Sequence, residues 1–196
     1  GVPYRAIPGN HDCRETMRRA FADQDWMPVT GPLNWRADLA EFSLLALDST
    51  VAGEPFGLLS PETLDWVRRQ LHDLDGHPVI LACHHPPFEI GIRPMDVQNL
   101  RNADDLAEVL QSHQGPSRLI CGHVHRLAMT VFAGIPAMTC PGTSHAVTLD
   151  LRADNPNSLT LEPGGFLLHA YSVGFVSGLI PVGAFDGGWP FETAPD

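Results

Sequence analysis

Ser117-Arg118-Leu119-Ile120-Cys121-Gly122-His123-Val124-His125 is the stretch on which the reading of this chain turns. Ser117–Ile120 is predicted as a strand that runs through Gly122 into a loop carrying two histidines. In extended chain, residues i and i+2 project to one side, so His123 and His125 are expected to reach the same place. Gly122 allows a sharp turn without a Cβ penalty. Histidine is the commonest metal ligand near neutral pH, which makes this pair candidate metal ligands.

Working backward, Pro78-Val-Ile-Leu-Ala-Cys83 is a continuous apolar run of strand length, as expected where both faces of a sheet are covered. His84-His85-Pro86-Pro87 follows at once. Adjacent residues in extended chain point to opposite sides, so one of these histidines is expected to join His123 and His125. Pro86 holds His85 in extended geometry. Nearer the start, residues 3–7 are predicted as a short strand that stops at Pro8-Gly9, followed by Asn10-His11-Asp12 and a helix from Arg14. Ligands of such βα units gather beyond the carboxyl ends of the strands. Asn10 offers a carbonyl oxygen as a neutral ligand, and His11 a titratable proton. Asp12 orients His11 or caps the following helix; a plain turn with an Asp N-cap is the simpler alternative.

Between these stretches, residues 21–40 look like an irregular surface connection, and Glu41 to Asp48 a nearly buried strand. Asp48 is read as a turn residue rather than a site carboxylate. Ser60-Pro61 opens a helix with Leu64, Val67 and Leu71 on its apolar face, ended by Asp75-Gly76. Phe88 to Gln98 is expected to form a lid or substrate wall, and Asn102 opens a helix burying Leu106, Val109 and Leu110. After the histidine pair the pattern changes to β alone. Leu127–Phe132, Ala137–Cys140, Ala146–Leu151, Phe166–Ser172 and Phe175–Ile180 are predicted as short antiparallel strands of a second sheet. Residues 127–182 would form this mainly β half of one domain covering residues 1–196. His145 reads first as a strand-end histidine and second as a residue approaching substrate. His72, His77, His113 and His169 read as surface or packing residues.

Composition sets the outer limits. A chain of 196 residues with 43% hydrophobic and 18% charged content is globular. Its net charge of −11 disfavours a nucleic-acid polymer or an anionic membrane surface as partner. No apolar run reaches membrane-spanning length, the best (Phe175 to Phe185) being cut by Gly178, Pro181 and Gly183. The cysteines, Cys13, Cys83, Cys121 and Cys140, show no CxxC spacing, which suggests buried thiols in a reducing, cytoplasmic compartment.

In order and spacing, Pro8-Gly9-Asn10-His11-Asp12, Cys83-His84-His85-Pro86 and Cys121-Gly122-His123-Val124-His125 resemble the last three motifs of calcineurin-like metallophosphoesterases: GNH[DE], the HH-P type of GHHP, and GHxH. Thr139-Cys140-Pro141-Gly142-Thr143-Ser144-His145 and Glu162-Pro163-Gly164-Gly165-Phe166 are similar to the class III cyclic-nucleotide phosphodiesterase branch, which includes bacterial glycerophosphodiesterases. The resemblance implies an α/β fold, a β-sandwich flanked by helices. It implies two divalent ions (Mn, Fe or Zn), with Asn10, His84 and His123 on the second, His125 on the first, and His11 stabilising the transition state and protonating the leaving alkoxide. The implied reaction is phosphodiester hydrolysis of a small molecule by metal-activated hydroxide.

Such enzymes carry two earlier motifs, Asp-x-His and Gly-Asp-x-x-Asp or Asn. This chain holds only eight residues before Gly9, with neither motif among them, and Asp75-Gly76-His77, at the end of a predicted helix, does not replace them. Only His125 then serves the first ion, and the expectation is an N-terminally incomplete site. A fragment of a larger enzyme, residues lent by a second copy, or a binding module without catalysis would each account for this. The missing βα units would expose sheet edge and face, so a homo-oligomer is expected. A structural zinc site with Cys121 beside His123 and His125 is the competing reading.

Overall fold

A computed structural model describes residues 2–187 and 191. Pro3–Ile7 runs without sheet pairing, contrary to the strand expected there, and leads into helix α1 (Arg14–Ala20). Strands β1 (Trp35–Asp38) and β2 (Ser43–Leu47) follow as an antiparallel pair, then helix α2 (Pro61–Leu74) and strand β3 (Val79–Cys83). The short α3 (Arg93–Asp96), α4 (Ala103–Gln111), β4 (Ser117–Cys121), β5 (Met129–Phe132) and β6 (Ile135–Thr139) complete the central layers. The remainder is two small ladders: β7 (Ala146–Val147) with β8 (Leu159–Thr160), and β9 (Gly165–Tyr171) with β10 (Phe175–Pro181).

The six-stranded sheet has the order β1-β2-β3-β4-β6-β5. Strands β2, β3, β4 and β6 are parallel, and the outer strands β1 and β5 run antiparallel to their neighbours. All five residues of β3 are buried, as its unbroken apolar run implies. One face packs Leu45, Leu81, Leu119 and Ala137 against Val67, Leu71 and Leu106 of α2 and α4. Ser60 caps α2 by accepting a hydrogen bond from the Thr63 amide at 3.1 Å, with Pro61 at the first helical position. Asp75 ends it in the left-handed conformation, with φ 44°.

Two expectations change. Residues 21–40 are not a surface connection: Trp26, Met27, Leu33 and Trp35 are buried with Met17 and Ala46, and β1 lies among them. Aromatic spacing without periodicity hid this second core. The strands of the β-rich half also do not share a second sheet. β5 and β6 join the central sheet, because β6 pairs in parallel with β4 through Leu119–Ala137, Ile120–Met138 and Cys121–Thr139. The β9–β10 hairpin covers the face opposite the helices. Arg118 of β4 donates to Ser177 Oγ and to the Phe175 carbonyl, and Phe42 packs edge-on against Phe175. Between hairpin and sheet lies an apolar cavity of about 260 Å³, lined by Ile7, Ala82, Ile120, Cys140, Leu167 and His169. Among the described residues, no helix is long and apolar enough to cross a membrane.

Candidate metal centre

Parallel pairing of β2, β3, β4 and β6 puts their carboxyl ends on one rim, and the histidine-bearing loops leave from that rim. A cavity of about 420 Å³ opens there. Asn10, His11, His84, His123, His125 and His145 line it, with Met95 and Gln98 from the α3 segment on one wall and Val147 and Leu159 on another. The expected lid is therefore the Met95–Gln98 wall. Among the described residues, no Asp or Glu lines the cavity.

Asn10 Oδ1 lies 3.0 Å from His84 Nε2, and His123 Nδ1 lies 3.3 Å from that same nitrogen. His123 Nε2 is buried without a hydrogen-bond partner, an atom a cation would satisfy. Burial, together with neighbouring imidazoles, pushes His84 and His123 down to about 3, so both rings are neutral at neutral pH and free to ligate. Burial and His145 also lower His125. This donor set fits a divalent cation. Gly9 makes the approach possible: a Cβ there would lie 2.8 Å from His84 Cε1.

The extended-chain argument for His123 and His125 fails, although both reach the cavity. Both are left-handed, with φ 69° and 51°, and the Val124 amide donates to the Gly122 carbonyl at 2.8 Å. Strand parity ends at Cys121. The turn sends His123 to His84, while His125 Nδ1 meets His145 Nε2 at 3.0 Å. Non-glycine residues held at positive φ store strain of about 1–3 kcal/mol each and cluster at functional sites. His145, whose Nδ1 lies 2.9 Å from Ser144 Oγ, therefore belongs to the cavity lining rather than to a strand end. That is the second of the two readings its sequence allowed, while its pairing with His125, twenty residues away, had no local signal.

His85 is close to the cluster but differently employed. One ring nitrogen each from His84, His85 and His123 lies within 4.8 Å of the others. His85 Nε2 donates to the Pro55 carbonyl at 3.2 Å, which leaves Nδ1 to accept from Ser49 Oγ at 2.8 Å. With both nitrogens engaged and the ring fully buried, His85 has no free nitrogen to offer a cation in this arrangement. Burial and His123 push it down to about 4.

His11 is exposed and faces the cavity. Asp12 does not cap the helix and makes no direct bond to His11. Its carboxylate accepts from the Gly9 amide at 2.8 Å while its own amide donates to the Gly9 carbonyl at 3.0 Å, closing the turn that carries Asn10 and His11. Cys13 occupies the N-cap of α1 without a side-chain bond. Asp48 is also more than a turn residue: its buried carboxylate accepts from Arg14, Thr50 and the Leu33 amide. Burial opposes ionisation of Asp48, but Arg14 and these donors outweigh it and hold the carboxyl below its usual range.

Cys121 does not complete a zinc site. Its Sγ points into the helix-covered core, 3.7 Å from Cys83 Sγ, and burial raises the thiol well above its usual range. The competing zinc reading is thereby overturned.

Comparison with known proteins agrees with this geometry. Residues 1–127 match the family described as calcineurin-like phosphoesterase. A probable glycerophosphodiester phosphodiesterase of Arcobacter nitrofigilis is 37% identical over 193 residues, covering 97% of this chain and 71% of that protein. The 3′,5′-cyclic adenosine monophosphate phosphodiesterase of Escherichia coli K12 is 32% identical over 88% of this chain and 61% of its own length. A dimetal phosphatase from Danio rerio shares the fold, with a TM-score of 0.53 at 18% identity over 68% of this chain and 59% of that one. The chain belongs to the calcineurin-like phosphoesterase family.

Proposed function

We propose that this chain carries half of a two-metal phosphodiesterase centre, with Asn10, His84 and His123 holding one divalent ion and His125 contributing to the other. The observation that carries this reading is the convergence of Asn10 Oδ1 and His123 Nδ1 on His84 Nε2, beside the unpartnered His123 Nε2. Divalent ions held there would supply Lewis-acid charge to a phosphodiester and would lower the pKa of a water for hydrolysis. The neutral rings of His84 and His123 keep the site open to cations at neutral pH. His11, exposed on the cavity wall, is the residue to protonate a leaving alkoxide. Asp12 serves it by closing the turn. Met95, Val147 and Leu159 offer an apolar wall to the ester group of a small phosphodiester. The names of the relatives point to glycerophosphodiesters and cyclic nucleotides.

Because no carboxylate among the described residues lines the cavity, we read the ion at His125 as incompletely held by the described residues. The isolated chain should then bind Mn²⁺ weakly and hydrolyse bis(p-nitrophenyl) phosphate slowly. His84→Ala and His123→Ala should each remove what Mn²⁺ binding remains. Metal binding unaffected by either substitution overturns the proposed centre, and robust turnover by the isolated chain overturns its incompleteness. The free thiols suit a cytoplasmic setting. The apolar surface of Val176, Leu179 and Ile180 suits self-association, readable by light scattering.

A further inference from the structure

Among the described residues, Pro3–Ile7, which leads into the loop carrying Asn10 and His11, pairs with no strand. Something else must fix Asn10 against His84, which follows β3 directly. The connection runs through Asp48, one residue beyond the end of β2 and beside His84, because Leu47 is in register with Cys83. Its carboxylate, wholly buried, meets Arg14 in a two-pronged ion pair through Nε and a terminal guanidinium nitrogen, the latter at 2.9 Å. It also accepts from the Leu33 amide at 2.9 Å, the Thr50 amide at 3.0 Å and the Thr50 hydroxyl at 2.6 Å. Arg14 donates further to the Thr50 carbonyl at 2.7 Å. Arg14 is the first residue of α1, so this pair clamps the helix that begins right after Asn10-His11-Asp12.

The same carboxylate acts in a second direction. Holding Thr50 fixes the Asp48–Thr50 turn, which presents Ser49 Oγ to His85 Nδ1 at 2.8 Å. The buried His85 ring packs edge-on to His84 at 4.8 Å between centroids and tilted against His123 at 4.9 Å. With its oxygens taken by protein donors, Asp48 has no reach toward substrate.

We propose that Asp48 is a positioning residue, setting Asn10 and His11 through Arg14, and His84 and His123 through Ser49 and His85. This deepens the proposed metal centre and rests on it for its purpose. Outer partners of metal ligands typically change affinity by about 10–100-fold when removed. The test compares wild type, Asp48→Asn, Arg14→Lys and a core control, Leu110→Ala. Two quantities are measured: imidazole ¹H–¹⁵N spectra of the metal-free chain, and Mn²⁺ affinity by calorimetry. Asp48→Asn and Arg14→Lys should shift the His84 and His123 resonances and weaken Mn²⁺ binding about tenfold or more. Leu110→Ala should lower the melting temperature and leave both readouts in place. Should Asp48→Asn fail to fold, Arg14→Lys at a partly exposed site carries the comparison. Imidazole spectra unchanged in the variants, or shifted equally by Leu110→Ala, overturn the proposal. These spectra need neither metal nor turnover, so Mn²⁺ binding unaffected by His84→Ala and His123→Ala sinks the proposed centre and leaves the positioning of these rings by Asp48 standing.

Discussion

At the residue scale, the site depends on imidazoles kept neutral by burial. In the unfolded chain His84, His85 and His123 take up protons near 6.5, whereas in the fold they do so at about 3, 4 and 3. Between those values the unfolded chain binds more protons, so stability falls as pH drops below 6.5 and is fully present above it. Acidification from pH 7 to 5 should therefore destabilise the metal-free chain, by at most about 2 kcal/mol per histidine. Urea titrations at the two pH values measure this, and equal midpoints would contradict it. A second expectation concerns Gly9, where a Cβ would come within 2.8 Å of the His84 ring. Gly9→Ala should displace that ring and weaken Mn²⁺ binding by about an order of magnitude, read by calorimetry. That Asn10, His84, His123 and His125 come to one cavity was legible in the sequence because each sits in a short motif, two of these motifs directly after β3 and β4. The pairing of His125 with His145 was not, since twenty residues of loop separate them and only folding brings them to 3.0 Å.

At the element scale, local chemistry accounts for most helices and strands. Ser60 with Pro61, and Asp75-Gly76 at the other end, bound α2 as read from sequence. Ser60→Ala removes the bond to the Thr63 amide and should cost about 1 kcal/mol in a denaturant melt, with activity unaffected. The strand expected at residues 3–7 failed for the opposite reason: its pattern is compatible with pairing, and β1 touches it through Trp35 and Arg36, but no described strand pairs with its backbone. A strand needs a neighbour's hydrogen bonds, and propensity does not supply one. The same dependence misled the reading of residues 21–40, whose tryptophans acquire a core only when Ala46 and Met17 meet them.

At the scale of the whole molecule, the parallel order β2-β3-β4-β6 decides function by gathering four loops on one rim. The β9–β10 hairpin is tied to this sheet by Arg118, buried among apolar residues with its Nε unpartnered. Arg118→Ala should loosen the hairpin, raising hydrogen exchange in residues 165–181 at least about tenfold while β3 stays protected, because hydrogen bonds from a charged donor contribute about 1.5–3 kcal/mol. Uniform protection in that variant would show that Phe42, Phe175 and the backbone bonds suffice.

The sequence by itself determined the ligand types, the α/β class and the position of the histidine motifs at strand ends, because these follow from side-chain chemistry and hydrophobic runs along the chain. Only the tertiary structure decided that His123 and His125 diverge through left-handed turns, that both His85 ring nitrogens are taken by Ser49 and Pro55, and that Asp48 meets Arg14 from 34 residues away. Those roles are set by which groups meet across the rim of the sheet, and contacts between distant segments have no local signature to read.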